Sequence, residues 1–116
     1  MIADNKPYSL VKLSGFVGDD PQQILEMVDL FIQTIPPELS LLKKNASMGL
    51  YDEVATVAHR IKPSIDVFDI KDALQIIRTI ELFCRNGQNL PQVNSLVDQL
   101  YEKLTFTLKI MHSELK

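Results

Sequence analysis

Tryptophan is absent from this 116-residue chain, and cysteine occurs once, as Cys84. A single thiol makes no intramolecular disulfide and no multi-cysteine zinc site, and it suits a reducing compartment. Glycine is nearly as scarce, at Gly15, Gly18, Gly49 and Gly87. None of these belongs to a GxGxxG or GxxxxGK phosphate loop, so the ordinary nucleotide-binding α/β enzymes lose their support. No alternating β-branched run is present, which leaves a multi-stranded sheet without a place. No apolar run approaches the length of a membrane-spanning helix. The start, Met-Ile-Ala-Asp-Asn-Lys, has neither the basic nor the apolar region of a secretion signal. A net charge of −3 gives no electrostatic footprint for nucleic acid. These absences predict a cytoplasmic monomer that binds neither nucleic acid nor membrane.

What is present is the composition of one ordinary globular domain spanning residues 1–116, with 46% hydrophobic and 23% charged residues. The apolar residues recur at helical spacing. Tyr8, Leu10, Val11, Leu13, Phe16 and Val17 suggest a short amphipathic helix ending near Gly15 or Gly18. Asp20-Pro21 is a strong helix start, with an N-cap carboxylate and proline in the first turn. From there Ile24, Val28, Phe31, Ile35, Leu39, Leu42 and Ala46 form one face. The stripe keeps its phase across Pro36-Pro37, so the spacing predicts one kinked helix or two end to end. A second stripe runs Leu50, Val54, Val57, Ile61, Ile65, Phe68. A third, from Asp69 or Lys71, carries Ala73, Leu74, Ile77, Ile80, Phe83 and Cys84 and closes at Asn86-Gly87. The last starts near Asn89 and Pro91 and runs Val93, Val97, Leu100, Leu104, Leu108, Met111, Leu115. Short connections at about 48–50, 69–71 and 86–90 force antiparallel neighbours. The predicted fold is all-α: an antiparallel up-down-up-down four-helix bundle with a short N-terminal helical cap.

Two histidines exist, His59 and His112. His112 sits near the end of the last helix, where the helix dipole favours it. No carboxylate or thiol is spaced to make the two histidines a metal site, so no metal is expected. Cys84 continues an apolar stripe and reads as a buried, inert thiol. His59 is different. Val57 and Ile61 face the core, so His59 points away from it, beside Ala55, Thr56, Lys62, Pro63 and Asp66. A solitary exposed histidine is ordinarily just solvated. Here the Lys62 ammonium lies one turn on. It disfavours a second positive charge on the ring, keeping the imidazole nucleophilic, and it can face a phosphoryl group afterwards. Ser64 is a candidate for a hydrogen bond, although it lies well round the helix from His59. Arg60 flanks the nucleophile.

The segment Ala58-His59-x-x-Lys62-x-Ser64 resembles the A-H-x-L-K-G-S motif of histidine-containing phosphotransfer (HPt) domains. "LFIQTIPPELSLL", "GLYDEVATVAHRIKPS" and "TIELFCRNG" resemble the family's segments before, through and after that motif, over roughly residues 8–90. Pro63 replaces the family's usual glycine, and Phe68-Asp69-Ile70 replaces its "LGA". The resemblance implies that His59 Nε2 accepts a phosphoryl group, with Nδ1 tethered and Lys62 stabilising the charge. It implies exchange of that group with aspartates on receiver domains of response regulators or hybrid sensor kinases. It also implies no cofactor on this chain, the receiver supplying magnesium, and no autonomous ATP-dependent kinase activity. Ala55, Thr56, Arg60, Pro63 and Asp66 are the expected docking surface, with position 63 kept free of a long side chain on the approach path. The competing expectation is a helical-bundle adaptor that binds a partner without carrying phosphate. A sensor-kinase dimerisation hairpin is a weaker third, since it needs an attached ATP-binding domain.

Overall fold

The computed structural model describes residues 6–116; the first five, on which the expectation about a secretion signal falls, lie outside the described residues. Five α-helices follow in order: α1 Val11–Val17, α2 Pro21–Ser47, α3 Tyr51–Val67, α4 Lys71–Asn86 and α5 Val93–Leu115. A single 3₁₀ turn, Leu90–Gln92, leads into α5. There is no strand among the described residues.

Local chemistry sets the helix ends. Asp20 accepts the Gln22 N–H at 3.0 Å, and Pro21 opens α2 where its missing N–H costs nothing. α2 then continues unbroken for 27 residues through Pro36 and Pro37. Both prolines lie on the exposed side, where water can reach the carbonyls of Ile32 and Gln33 that they leave unpaired. Gly87 closes α4 at φ +62°, a left-handed position where a Cβ is unfavourable. The turn between α3 and α4 uses Asp69 instead, at φ 52°, a conformation that Asp tolerates better than most residues.

The predicted stripes meet in one core. Val28, Phe31, Ile35, Leu39, Leu42 and Ala46 of α2 face Val54, Val57, Ile61 and Ile65 of α3. Ala73, Leu74, Ile77, Ile80 and Cys84 of α4, with Val93 to Met111 of α5, complete it. The helices pack in a ring, α2 on α3, α3 on α4, α4 on α5 and α5 on α2. Ion pairs lie across each seam: Arg60–Glu38, Lys62–Glu81, Lys103–Asp72 and Lys43–Asp98. Arg60 and Glu38 lie equally far from Gly49 in the turn that joins their helices, and Lys43–Asp98 joins the end of α2 to the start of α5. These pairings are compatible with antiparallel neighbours, and the fold is the expected all-α bundle.

The N-terminal cap and four stripe positions depart from expectation. Tyr8 is buried but precedes α1, its hydroxyl donating to Glu114 Oε1 at 2.8 Å. Within α1 only Leu13 is buried, while Val11 and Phe16 are 77% and 78% exposed. The helix passes through Gly15 and stops at Gly18. Leu50, placed on the α3 stripe, instead flanks the helix and is exposed. Ile24, Phe83 and Leu115 pack only partly buried at the margins of the core.

Phe68 joins the cap to the core. Its ring lies 4.5 Å from that of Phe31, centroid to centroid, and its carbonyl accepts the Ser9 N–H at 2.9 Å. Phe68→Ala therefore leaves a cavity at the α2–α3 seam and should cost about 3–5 kcal/mol in denaturant unfolding followed by circular dichroism. Val11→Ala, on the exposed side of α1, should stay within about 0.5 kcal/mol of wild type.

Candidate functional site

The site is built at the α3–α4 seam. His59 and Lys62 are one turn apart on α3, and both reach the same residue of α4. His59 Nδ1 lies 3.0 Å from Glu81 Oε2, and Lys62 Nζ donates to Glu81 Oε1 at 2.7 Å. Arg85, one turn further along α4, donates through Nε to Glu81 Oε2 at 3.0 Å. One carboxylate thus serves three donors, two of them sharing an oxygen.

Glu81 is only 9% exposed, whereas the His59 side chain is 64% exposed. Burial pushes the Glu81 carboxyl up. Hydrogen bonds from Lys62 and Arg85, the Lys62 charge and the His59 ring overcome it and hold the group at about 2. An ionised carboxylate has no proton to give, so Nδ1 must be the donor in the His59–Glu81 bond. That fixes the tautomer of the neutral ring: Nδ1 carries the hydrogen, and Nε2 keeps its lone pair on the exposed side chain. Nε2 has no hydrogen-bond partner among the described residues. The arrangement is that of an oriented nucleophile with positive charge beside it.

Several expected residues lie elsewhere. Ala55 is 3% exposed, so it belongs to the core and not to a docking surface. It sits four residues before His59, and its methyl is taken up by helix packing. Ser64 turns toward α2, in a groove with Glu38, Arg60 and Pro37, and makes no hydroxyl bond to His59 or Lys62 among the described residues. Arg60 is held there too, its guanidinium forked on Glu38 at 2.6 and 3.0 Å. Thr56 is exposed, and its hydroxyl donates to the Asp52 carbonyl. Asp66 accepts from Lys12 of α1 at 3.0 Å. Pro63 is exposed on α3, one turn beyond His59, and α3 runs through it unbroken. His112 is exposed on α5, on a groove with Pro36 and Tyr101. Cys84 is buried, which pushes its thiol up to about 11 and leaves it protonated. No group of three or more His, Cys, Asp and Glu suited to a metal occurs among the described residues. No helix among them is long and apolar enough to cross a membrane.

The Lys62 argument also changes. Its ammonium is spent on Glu81, so the ring faces a carboxylate at Nδ1 as well as a cation nearby. Sequence reasoning missed Glu81 and Arg85 altogether. The signal was there: Glu81 follows Ile77 by four and precedes Cys84 by three, which puts a carboxylate on the buried stripe of α4. A charge in that position demands partners.

The described residues form a helical bundle that presents an exposed histidine, His59, bonded to a buried carboxylate, Glu81. The family comparison agrees: the Hpt domain model matches residues 26–116, most of the chain, and the protein belongs to the Hpt domain family. That membership supports a histidine phosphotransfer role in two-component systems, where Hpt domains interact with receiver domains. No curated protein and no solved structure matches the chain.

Because the folded Glu81 titrates at about 2 against an ordinary 4.5, the unfolded chain takes up this proton first as pH falls. Its stabilising contribution is complete above the unfolded value and is lost as pH drops from there toward 2. Glu81→Gln removes that ionisation. Thermal melts from neutral pH down to about pH 2 should show a shallower acid loss for the variant than for wild type. Equal acid limbs in the two proteins would show that the cluster contributes nothing to the pH dependence.

Proposed function

We propose that this protein is a phosphorelay intermediate in the cytoplasm. It takes a phosphoryl group on His59 from a receiver-domain aspartate and passes it to an aspartate on another receiver. The observation that carries the reading is the His59 Nδ1–Glu81 bond, which leaves Nε2 as the free base. In the forward step the Nε2 lone pair attacks phosphorus. The P–O bond to the aspartyl carboxylate breaks, and that carboxylate leaves with the electron pair. The ring gains positive character as the N–P bond forms, and the Glu81 carboxylate at Nδ1 stabilises it. Lys62 and Arg85 bring positive charge to the neighbourhood of the dianionic phosphoryl group. Transfer onward reverses these bonds. No cofactor is needed on this chain, and the receiver brings its own magnesium. The protein acts as a monomer and does not use ATP unaided. A plain adaptor has no use for an exposed imidazole held in one tautomer by a buried carboxylate.

The test is transfer from a receiver domain loaded with acetyl phosphate. Wild type should acquire acid-labile, alkali-stable phosphate, the behaviour of a phosphoramidate, and His59→Gln should acquire none. Undiminished labelling of His59→Gln, or acid-stable phosphate on a hydroxyl, overturns the proposal. ATP and magnesium alone should leave the protein unlabelled.

Lys62→Ala tests the charge. Alanine is a good helix former, so the fold should persist. Losing one charge-assisted contact, about 1.5–3 kcal/mol, should slow transfer about 10- to 150-fold if the contact is made in the transition state. An unchanged rate means that Lys62 serves Glu81 alone.

A further inference from the structure

Across the bundle from the α3–α4 seam, α2 and α5 leave a groove of about 340 Å³ between them. Its floor is apolar. Leu39 and Leu108 are buried there, and Ile32 and Pro36 form the α2 wall. From Ile32 to Ser40 the groove follows α2 for about 12 Å. Small-molecule sites have this form: concave, mostly apolar and furnished with a few polar groups.

The polar groups on its walls have no partners inside the molecule. Of the five threonines, Thr34, Thr56, Thr79 and Thr107 each donate to the carbonyl four residues back. Thr105, half-buried on the groove, makes no such bond. Pro36 removes the N–H that would bond the Ile32 carbonyl, so a backbone acceptor is open at the same wall. Lys109 and His112, one turn apart on α5, line one end, and neither side chain has an ion pair or hydrogen bond among the described residues. No Asp or Glu lines the groove, although the whole chain carries a net charge of −3. The carboxylates one turn beyond either end are already taken, Asp98 by Lys43 at 3.7 Å and Asp29 by Lys116. An apolar trough with an unpaired ammonium at one end complements a molecule with an apolar body and an anionic head.

We infer that the α2–α5 groove binds a small amphipathic carboxylate. Its hydrocarbon lies along Ile32, Pro36 and Leu108, and its carboxylate meets the Lys109 ammonium and the His112 ring. Thr105, one turn before Lys109, offers its hydroxyl to the same head. One ammonium without a second lysine on the wall suits a single negative charge better than a dianion. The site is independent of phosphotransfer, since it uses neither His59 nor Glu81. A ligand held there joins α2 to α5 and stabilises the folded chain by mass action.

The test is a titration of the full chain with octanoate, below its micelle concentration, followed by amide NMR shifts. Octanoate should saturate with a dissociation constant of about 1 mM or tighter, the range open to a ligand of that size. The shifts should concentrate on residues 32–40 and 101–112. Octanol, which lacks the charge, and acetate, which lacks the apolar body, should each bind at least about fivefold more weakly. Lys109→Glu changes an exposed side chain without a partner, so it should melt as wild type does and bind octanoate at least about fivefold more weakly. Lys71→Glu, the same change at an exposed lysine on α4, should bind octanoate as wild type does. Absence of saturation overturns the inference, as do shifts centred on His59 and the α3–α4 seam. So does a smaller loss for octanol, acetate or Lys109→Glu, or an equal loss in Lys71→Glu, which would mark a general effect of charge.

Discussion

A single buried carboxylate on α4 sets the terms for the site and for the seam that carries it. Glu81 lies on the stripe that should be apolar, and stranding its charge there would cost several kcal/mol. Three donors remove that cost: Lys62 and His59 from α3, and Arg85 from its own helix. The consequence for packing is register, since α3 and α4 must align for both α3 residues to reach one carboxylate. The consequence for chemistry is a defined tautomer. Both follow from one substitution of charge for hydrocarbon in the core face of a helix.

The rest of the bundle provides the rigidity that makes such a bond useful. Leu104, Leu100, Ile77 and Ile80 are fully buried in the layers formed by α4 and α5. Surface ion pairs such as Lys43–Asp98 contribute little energy, but they agree with the same antiparallel alignment. On the other side of α3, the forked Arg60–Glu38 pair closes the α2 seam. The face of α3 between these two seams is left open, and His59 stands on it with Thr56 and Pro63, bordered by α1.

Helix existence, order and most core positions were legible in the sequence because periodicity reports burial directly. Asp20-Pro21 marked the start of α2, and Asn86-Gly87 marked the end of α4. Pro36-Pro37 did not divide α2, because their ring faces point outward and the apolar phase carries across. The cap misled, because seven residues are too few for periodicity to say which apolar side chains face inward. Leu13 goes in while Val11 and Phe16 stay out. At the site, His59 and Lys62 were legible through their position off the stripe. Glu81 was overlooked because attention to polar residues on exposed faces passes over a polar residue on a buried one. Ala55 was assigned by helical geometry to the right sector, but a methyl group next to a neighbouring helix is covered where a longer side chain would emerge. Ser64 and Arg60 were near His59 in sequence, and the turn of the helix sent them to α2.

The sharing of Glu81 Oε2 between His59 and Arg85 has a dynamic consequence. A buried carboxylate with one partner holds that partner rigidly, since release strands a charge. Glu81 can lose His59 and still keep Lys62 on one oxygen and Arg85 on the other. The imidazole can thus swing on its χ angles without exposing the core to an uncompensated anion. A ring that must meet phosphorus on one partner, then on another, is held by a bond it can leave.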